Sequence, residues 1–190
     1  MAPSRDTYLE LPLGAWYDAL ADSSGVPGGG SALASALAGA ASVLAMCARA
    51  AGNAGHAAQA GSLRARIAPM AQLDAETYDA ALRARDELQS LGVEQRDFQL
   101  GRAFARAAEP PLEIARAAAD VAELAAAIAE TGEPRVRADA QAAAALAAGV
   151  GRGAVALVEA NLTALPDDPR VAQARRAAED AADCARRAGC

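Results

Sequence analysis

A chain of 190 residues, 53% hydrophobic but only 3% aromatic and with a formal net charge of -6, is long enough to bury one core. Its 18 basic residues are all arginines, scattered among 24 acids rather than gathered in a stripe, which argues against nonspecific binding to nucleic acid or to an anionic membrane surface. Three cysteines (Cys47, Cys184, Cys190) and one histidine (His56) form no ligand-spaced set, so no metal is expected and a reducing cytoplasm fits the cysteine usage.

The first ten residues lack the apolar run of a secretory leader. Leu13, Trp16, Tyr17 and Leu20 recur at helical spacing and predict a short helix from Leu13 to Asp22. The stretch Ser23 to Gly30, SSGVPGGG, breaks it. Ser31 is expected to cap the next helix, which runs to about Ala51. Residues 25–48 carry no charge, but the run is short and weakly apolar for a membrane span, and it reads as a buried helix. On it Leu33, Leu37 and Leu44 form one ridge, while Ser31, Ser35 and Gly39 form a small-residue ridge that admits a neighbouring helix closely.

A third helical region is predicted over Gly55 to Ser90, broken or kinked at Pro69. Val93 to Ala108 follows, then a helix with Pro111 in its first turn that reaches Glu130. After the Thr131–Pro134 turn a long helix extends to about Ala164. The Pro166–Pro169 break leads to a last amphipathic helix ending at Arg187. No segment alternates as a strand does, and no repeat of fixed period is present. The expectation is an all-α fold, an antiparallel helical bundle forming a single domain over residues 1–190 with its core at about 13–187. Alanine makes helices readily but buries little area, so close helix packing and a homodimer interface are expected.

Candidate chemistry clusters at a few places. Val26-Pro27-Gly28-Gly29-Gly30-Ser31 precedes an apolar helix, where glycines let the backbone approach a ligand and the helix start offers free N–H groups. A plain flexible turn accounts for a bare GGGS equally simply. Asp74 and Tyr78 lie four apart on one helix face, where a carboxylate beside a phenol could move protons, or where an ordinary surface Asp could flank a half-buried Tyr. Arg135, Arg137 and Asp139 open the long helix, either holding an anionic group or simply complementing the helix dipole. Asn161 sits near that helix's end. His56, the cysteines and Gly149, Gly151 and Gly153 show no motif and receive no chemical role.

Taken in order, these landmarks are more distinctive than any one of them. Val-Pro-Gly-Gly-Gly-Ser (26–31) entering an Ala-rich helix that reaches Met46, Asp74-Ala75-Glu76-Thr77-Tyr78, Pro111-Leu112-Glu113-Ile114-Ala115, Gly132, Asp139 and Asn161-Leu162 together resemble the cyclodeaminase/cyclohydrolase family. That family includes the cyclodeaminase half of formiminotransferase-cyclodeaminase and a bacterial methenyltetrahydrofolate cyclohydrolase. The resemblance implies a homodimer acting on a tetrahydrofolate derivative without metal or cofactor. The reaction would close a 5-formimino group into the 5,10-methenyl bridge with loss of ammonia, or hydrolyse that bridge. It further implies Asp74 and Asp139 as the catalytic carboxylates. Pro27, Gly28, Gly29, Gly30, Ser31, Tyr78, Arg137 and Asn161 would bind substrate. The chain departs from the family pattern at Glu133 and Leu157, each in place of an asparagine. Loss of polar positions beside retained carboxylates keeps two alternatives open: C–N chemistry on a non-folate small molecule, or a non-catalytic helical binding module.

Overall fold

The computed structural model describes residues 7–23, 25–165 and 167–190. The first six residues, and the Ser24 and Pro166 portions of the two predicted breaks, lie outside the described residues. Eight α-helices follow in order, with no strand among the described residues: α1 (Leu13–Ala21), α2 (Gly29–Ala50), α3 (Ala54–Ile67), α4 (Met70–Glu87), α5 (Val93–Ala107), α6 (Glu109–Thr131), α7 (Pro134–Asn161) and α8 (Pro169–Ala188). Single 3-10 turns at Tyr8–Glu10 and Leu88–Ser90 complete the described elements.

The bundle is built around α6, which packs on α7 and α8 and touches α2 and α3. Its buried residues, from Pro110 to Ala129, cover most of the helix surface and leave one exposed stripe through Glu109, Arg116, Glu123 and Glu130. Alanine dominates this core, with Leu37, Leu44, Ile67, Leu112, Ile114 and Leu162 as the largest fully buried side chains. Small residues shorten the distance between helix axes, and Gly151 shows how far. A β-carbon there would meet Ala178 Cα at 3.3 Å and Ala118 Cβ at 3.7 Å, so α6, α7 and α8 meet almost backbone to backbone.

Several boundaries differ from the sequence reading for identifiable reasons. The region predicted as one helix with a kink is two helices, because Pro69 cannot continue α3 and instead precedes α4. Asn53 caps α3, its side chain accepting the His56 N–H at 2.9 Å. Most consequential for function, α2 begins at Gly29 with Gly28 as its N-cap, so Ser31 is not the cap. It lies fully buried inside the first turn, and its hydroxyl is directed to another helix.

By length and composition α2 and α7 could each cross a membrane (mean hydropathy 1.8 and 1.4). The two pack against each other, and 56% and 44% of their apolar windows are buried in the bundle.

Candidate active site at the start of helix α2

The loop into α2 is shaped by its small residues. Gly25 adopts φ +81, a left-handed conformation that glycine takes without strain. Pro27 follows through a cis peptide bond and is buried. Gly28 is extended, and its carbonyl accepts the Ala32 N–H at 3.1 Å, the first bond of the helix. The N–H groups of Gly29, Gly30 and Ser31 precede that first bond and have no partner within the helix.

Helix α4 crosses this turn and delivers Asp74. Ser31 Oγ donates to the Ala71 carbonyl at 2.7 Å and lies 3.3 Å from Asp74 Oδ2, while the Ser31 N–H also faces the carboxyl. Asp74 is only 8% exposed, and Ser31 is its one companion among buried polar residues of the described chain. Burial pushes the Asp74 carboxyl above the usual range, and the Ser31 N–H, which faces it, pulls against that only in part. Tyr8, from the N-terminal turn, is raised too, by burial first and then by Glu76, Asp79 and Asp74.

Asp74 opens into a cavity of about 230 Å³ lined by the glycine loop, by Ala75 and Tyr78 of α4, by Pro111 of α6, and by Leu157, Ala160 and Asn161 of α7. No arginine lines it, and the N-terminal end of α2 turns its partial positive charge toward it. Asn161 is fixed by donating from Nδ2 to the Ala107 carbonyl at 2.9 Å, where α5 ends. Ala160 and Asn161 also border a second cavity of about 410 Å³, whose other walls include Asp97, Leu100, Phe104 and Leu165. Tyr78 and Phe104, one from each cavity, meet edge to face with centroids 6.4 Å apart. The two spaces are neighbours that share Ala160 and Asn161 in their walls.

Of the residues singled out from sequence, Gly28, Gly29, Gly30, Asp74, Tyr78 and Asn161 come together around the first cavity. Pro27 and Ser31 stand behind its wall, buried but not lining it. Asp139 and Arg137 are exposed in the first turns of α7. From there to Asn161 the helix rises about 30 Å, so the fold of one chain does not bring Asp139 to Asp74. Asp139 instead faces the C-terminal end of α2, where it adds to burial in pushing the Cys47 thiol up. Sequence reasoning missed Gly25, Ala75, Ala160 and the wall role of Leu157 and Pro111. The helical spacing of Leu157, Ala160 and Asn161 was the available signal. Among the described residues no three of His, Cys, Asp and Glu converge.

A family model described as formiminotransferase-cyclodeaminase matches residues 12–180. A search of curated protein sequences finds no significant match. Among solved structures, the chain is similar to formiminotetrahydrofolate cyclodeaminase from Thermotoga maritima, with a TM-score of 0.83 and 21% identity over 95% of this chain and 94% of that one. The structural likeness establishes the shared helical bundle, and the family match covers nearly the whole length. On these grounds the chain belongs to the formiminotransferase-cyclodeaminase family.

Proposed function

We propose that the protein is a formiminotetrahydrofolate cyclodeaminase, closing the 5-formimino group onto the neighbouring nitrogen and releasing ammonia. The observation that carries this reading is a single buried carboxyl, Asp74, facing a cavity with no basic side chain in its wall. The bridged product is a cation, and a carboxylate close to its carbon stabilises it in a poorly solvated site. The reaction otherwise needs only proton movement on and off nitrogen, which Asp74 supplies without a metal or redox cofactor. Tyr78 and the N–H groups of Gly29 and Gly30 position the ring system, and the second cavity gives the rest of an elongated ligand its room. Hydrolysis of the same bridge uses the same carboxyl, with water in place of ammonia.

Two copies of the chain pair through the exposed side of α2 and α7. Met46 and Leu146 are 44% and 50% exposed there, and a β-carbon at Gly39 or Gly149 would meet nothing within 4 Å. The face carries no charge on α2 from Gly29 to Ala48 or on α7 from Ala140 to Gly151. In a two-fold pairing that sets the α7 helices antiparallel, Asp139 and Arg137 of one copy approach the cleft end of the other. Asp139 would then serve across the interface rather than within its own chain.

Leu157 favours a second reading. It puts an apolar group in the wall where the family pattern has an amide, which suits the same C–N chemistry on a ligand other than a folate. One assay separates the two. Purified protein is given 5-formiminotetrahydrofolate, and the near-ultraviolet absorbance of the methenyl product is followed, with 5,10-methenyltetrahydrofolate run in the hydrolytic direction. Acceleration over buffer that Asp74→Asn abolishes supports the folate reading. No acceleration in either direction from folded protein overturns it.

A further inference from the structure

The contact between Ser31 and Asp74 contains more than a distance. A serine hydroxyl has one hydrogen to donate and two lone pairs. Ser31 Oγ is 2.7 Å from the Ala71 carbonyl oxygen and 3.3 Å from Asp74 Oδ2. A carbonyl can only accept, so the shorter contact commits the hydroxyl hydrogen to Ala71. What Ser31 turns toward Asp74 is therefore a lone pair. A carboxylate at that spot would set lone pair against lone pair. A carboxylic acid instead completes a chain in which Asp74 donates to Ser31 and Ser31 donates to Ala71, with every hydrogen used.

We propose that Asp74 rests as the neutral acid, and that Ser31 is the positioning residue that holds its proton in place. No side chain lining the cavity carries a positive charge to hold an anion, and only the start of α2 favours one. From α2, the uncharged run of residues 25–48 brings no cation, only the Ser31 N–H and the partial positive charge of the helix start. From the N-terminal turn comes Tyr8, a neutral phenol held above its usual range. On α4 itself Tyr78 is the other titratable group at the cavity, while Glu76 is exposed and Asp79 pairs with Arg83 at 2.9 Å. Helices α6 and α7 contribute Pro111, Leu157, Ala160 and Asn161, none of them titratable. No basic side chain lines the cavity, so a carboxylate here has no counter-ion until a cationic ligand arrives. Burial raises the Asp74 carboxyl in the same direction.

This placement rests on the proposed cyclodeaminase reading for its use and gives it a balanced step. From the neutral tetrahedral adduct, the Asp74 proton passes to the departing amine nitrogen. The C–N bond breaks with its electron pair leaving on nitrogen as ammonia. The adduct carbon becomes the cationic bridge beside the new Asp74 carboxylate. Neutral acid and neutral adduct thus give a carboxylate, a cation and ammonia, and solvent restores the proton after product leaves. Ser31 touches no substrate in this scheme.

The test needs no substrate. Side-chain carboxyl carbons of the intact protein are titrated by NMR, with the Asp74 signal assigned by its absence in Asp74→Asn. Wild-type Asp74 is expected to titrate above the ordinary carboxylate range. Ser31→Ala is expected to lower that midpoint, because the acid loses its acceptor, while Ser31→Thr keeps it. Ser31→Cys, a poorer acceptor in the same place, should also lower it and covers the case in which alanine does not fold. A midpoint that rises in these variants means the hydroxyl donates to a carboxylate, and overturns the proposal. An unchanged midpoint, or a wild-type value in the ordinary range, overturns it equally. If the titration behaves as expected but no folate is turned over, the cyclodeaminase reading fails alone.

Discussion

A β-carbon on Gly30 would stand 2.1 Å from Oδ1 of Asp74 and 2.6 Å from Oδ2, so the crossing of α2 over the Asp74 carboxyl exists only because residue 30 has no side chain. Gly30→Ala must push the carboxyl away or part the two helices. Overpacking of this kind costs about 1–3 kcal/mol. We expect the variant to be less stable by that amount and to lose at least 100-fold in turnover, on the scale of a misplaced acid–base group. By contrast, a β-carbon at Gly29 meets only Leu157 at 3.7 Å, so Gly29→Ala should keep its stability. A denaturant series on the two variants, with the assay described above, checks the contrast.

Asp74→Asn should reduce turnover by about 10²–10⁴-fold, the usual worth of one proton-transfer group, while leaving the fold intact. Its effect on stability has a definite sign. A carboxyl raised by burial in the folded chain favours folding at low pH, and that contribution is lost as pH rises from about 4, the unfolded value, through its own raised midpoint. The asparagine variant loses no stability on that account. Melting curves of wild type and variant should therefore diverge as pH rises through this window, the wild type falling. Parallel curves would mean Asp74 titrates at an ordinary value.

The Asp168–Arg170 pair carries the opposite sign. Asp168 caps α8 by accepting the Arg170 N–H at 3.0 Å and pairs with its guanidinium at 2.8 Å. Arg170 also reaches Glu109 and the Ala105 carbonyl, both at 2.6 Å, tying α8 to α5 and α6. The Arg170 side chain holds the Asp168 carboxyl down at about 2. Its contribution is full above about 4, the unfolded value, and is lost as pH falls through about 2. Arg170→Met should cost about 1–3 kcal/mol at neutral pH, with the gap to wild type closing in acid. Equilibrium unfolding at pH 7 and near pH 2 measures both ends.

Asp139 offers a test of assembly. If it serves the cleft of a partner, Asp139→Asn should lose turnover despite standing about 30 Å along α7 from its own cleft. Mixing inactive Asp139→Asn with inactive Asp74→Asn chains should then restore part of the activity, since one cleft of each mixed dimer has both carboxylates. Full activity in Asp139→Asn alone removes the residue from the chemistry. A monomer by light scattering removes the pairing, and Leu146→Glu should produce such a monomer from a dimer.

The helices were legible because alanine-rich periodic runs are separated by proline and glycine, whose effects are local. Pro69 was visible as an interruption, but whether it kinks or divides depends on what α3 and α4 pack against, which is not local. Ser31 shows the same limit. Its sequence position suits an N-cap, yet the better partner for its hydroxyl is the Ala71 carbonyl forty residues away. The glycine loop and Asp74 could be named separately from sequence, but their meeting depends on how α4 crosses α2. Asp139 looked equivalent to Asp74 in sequence, and only the length of α7 separates them.

The amide of Asn161 has a further meaning for what the cleft admits. It borders both cavities and is pinned to the last turn of α5, so on the proposed function a ligand reaching from one to the other would pass it. Asn161 would then act as a gauge. Shortening it to alanine would widen the throat and release the end of α5 together, trading selectivity by ligand thickness for a looser, more permissive channel.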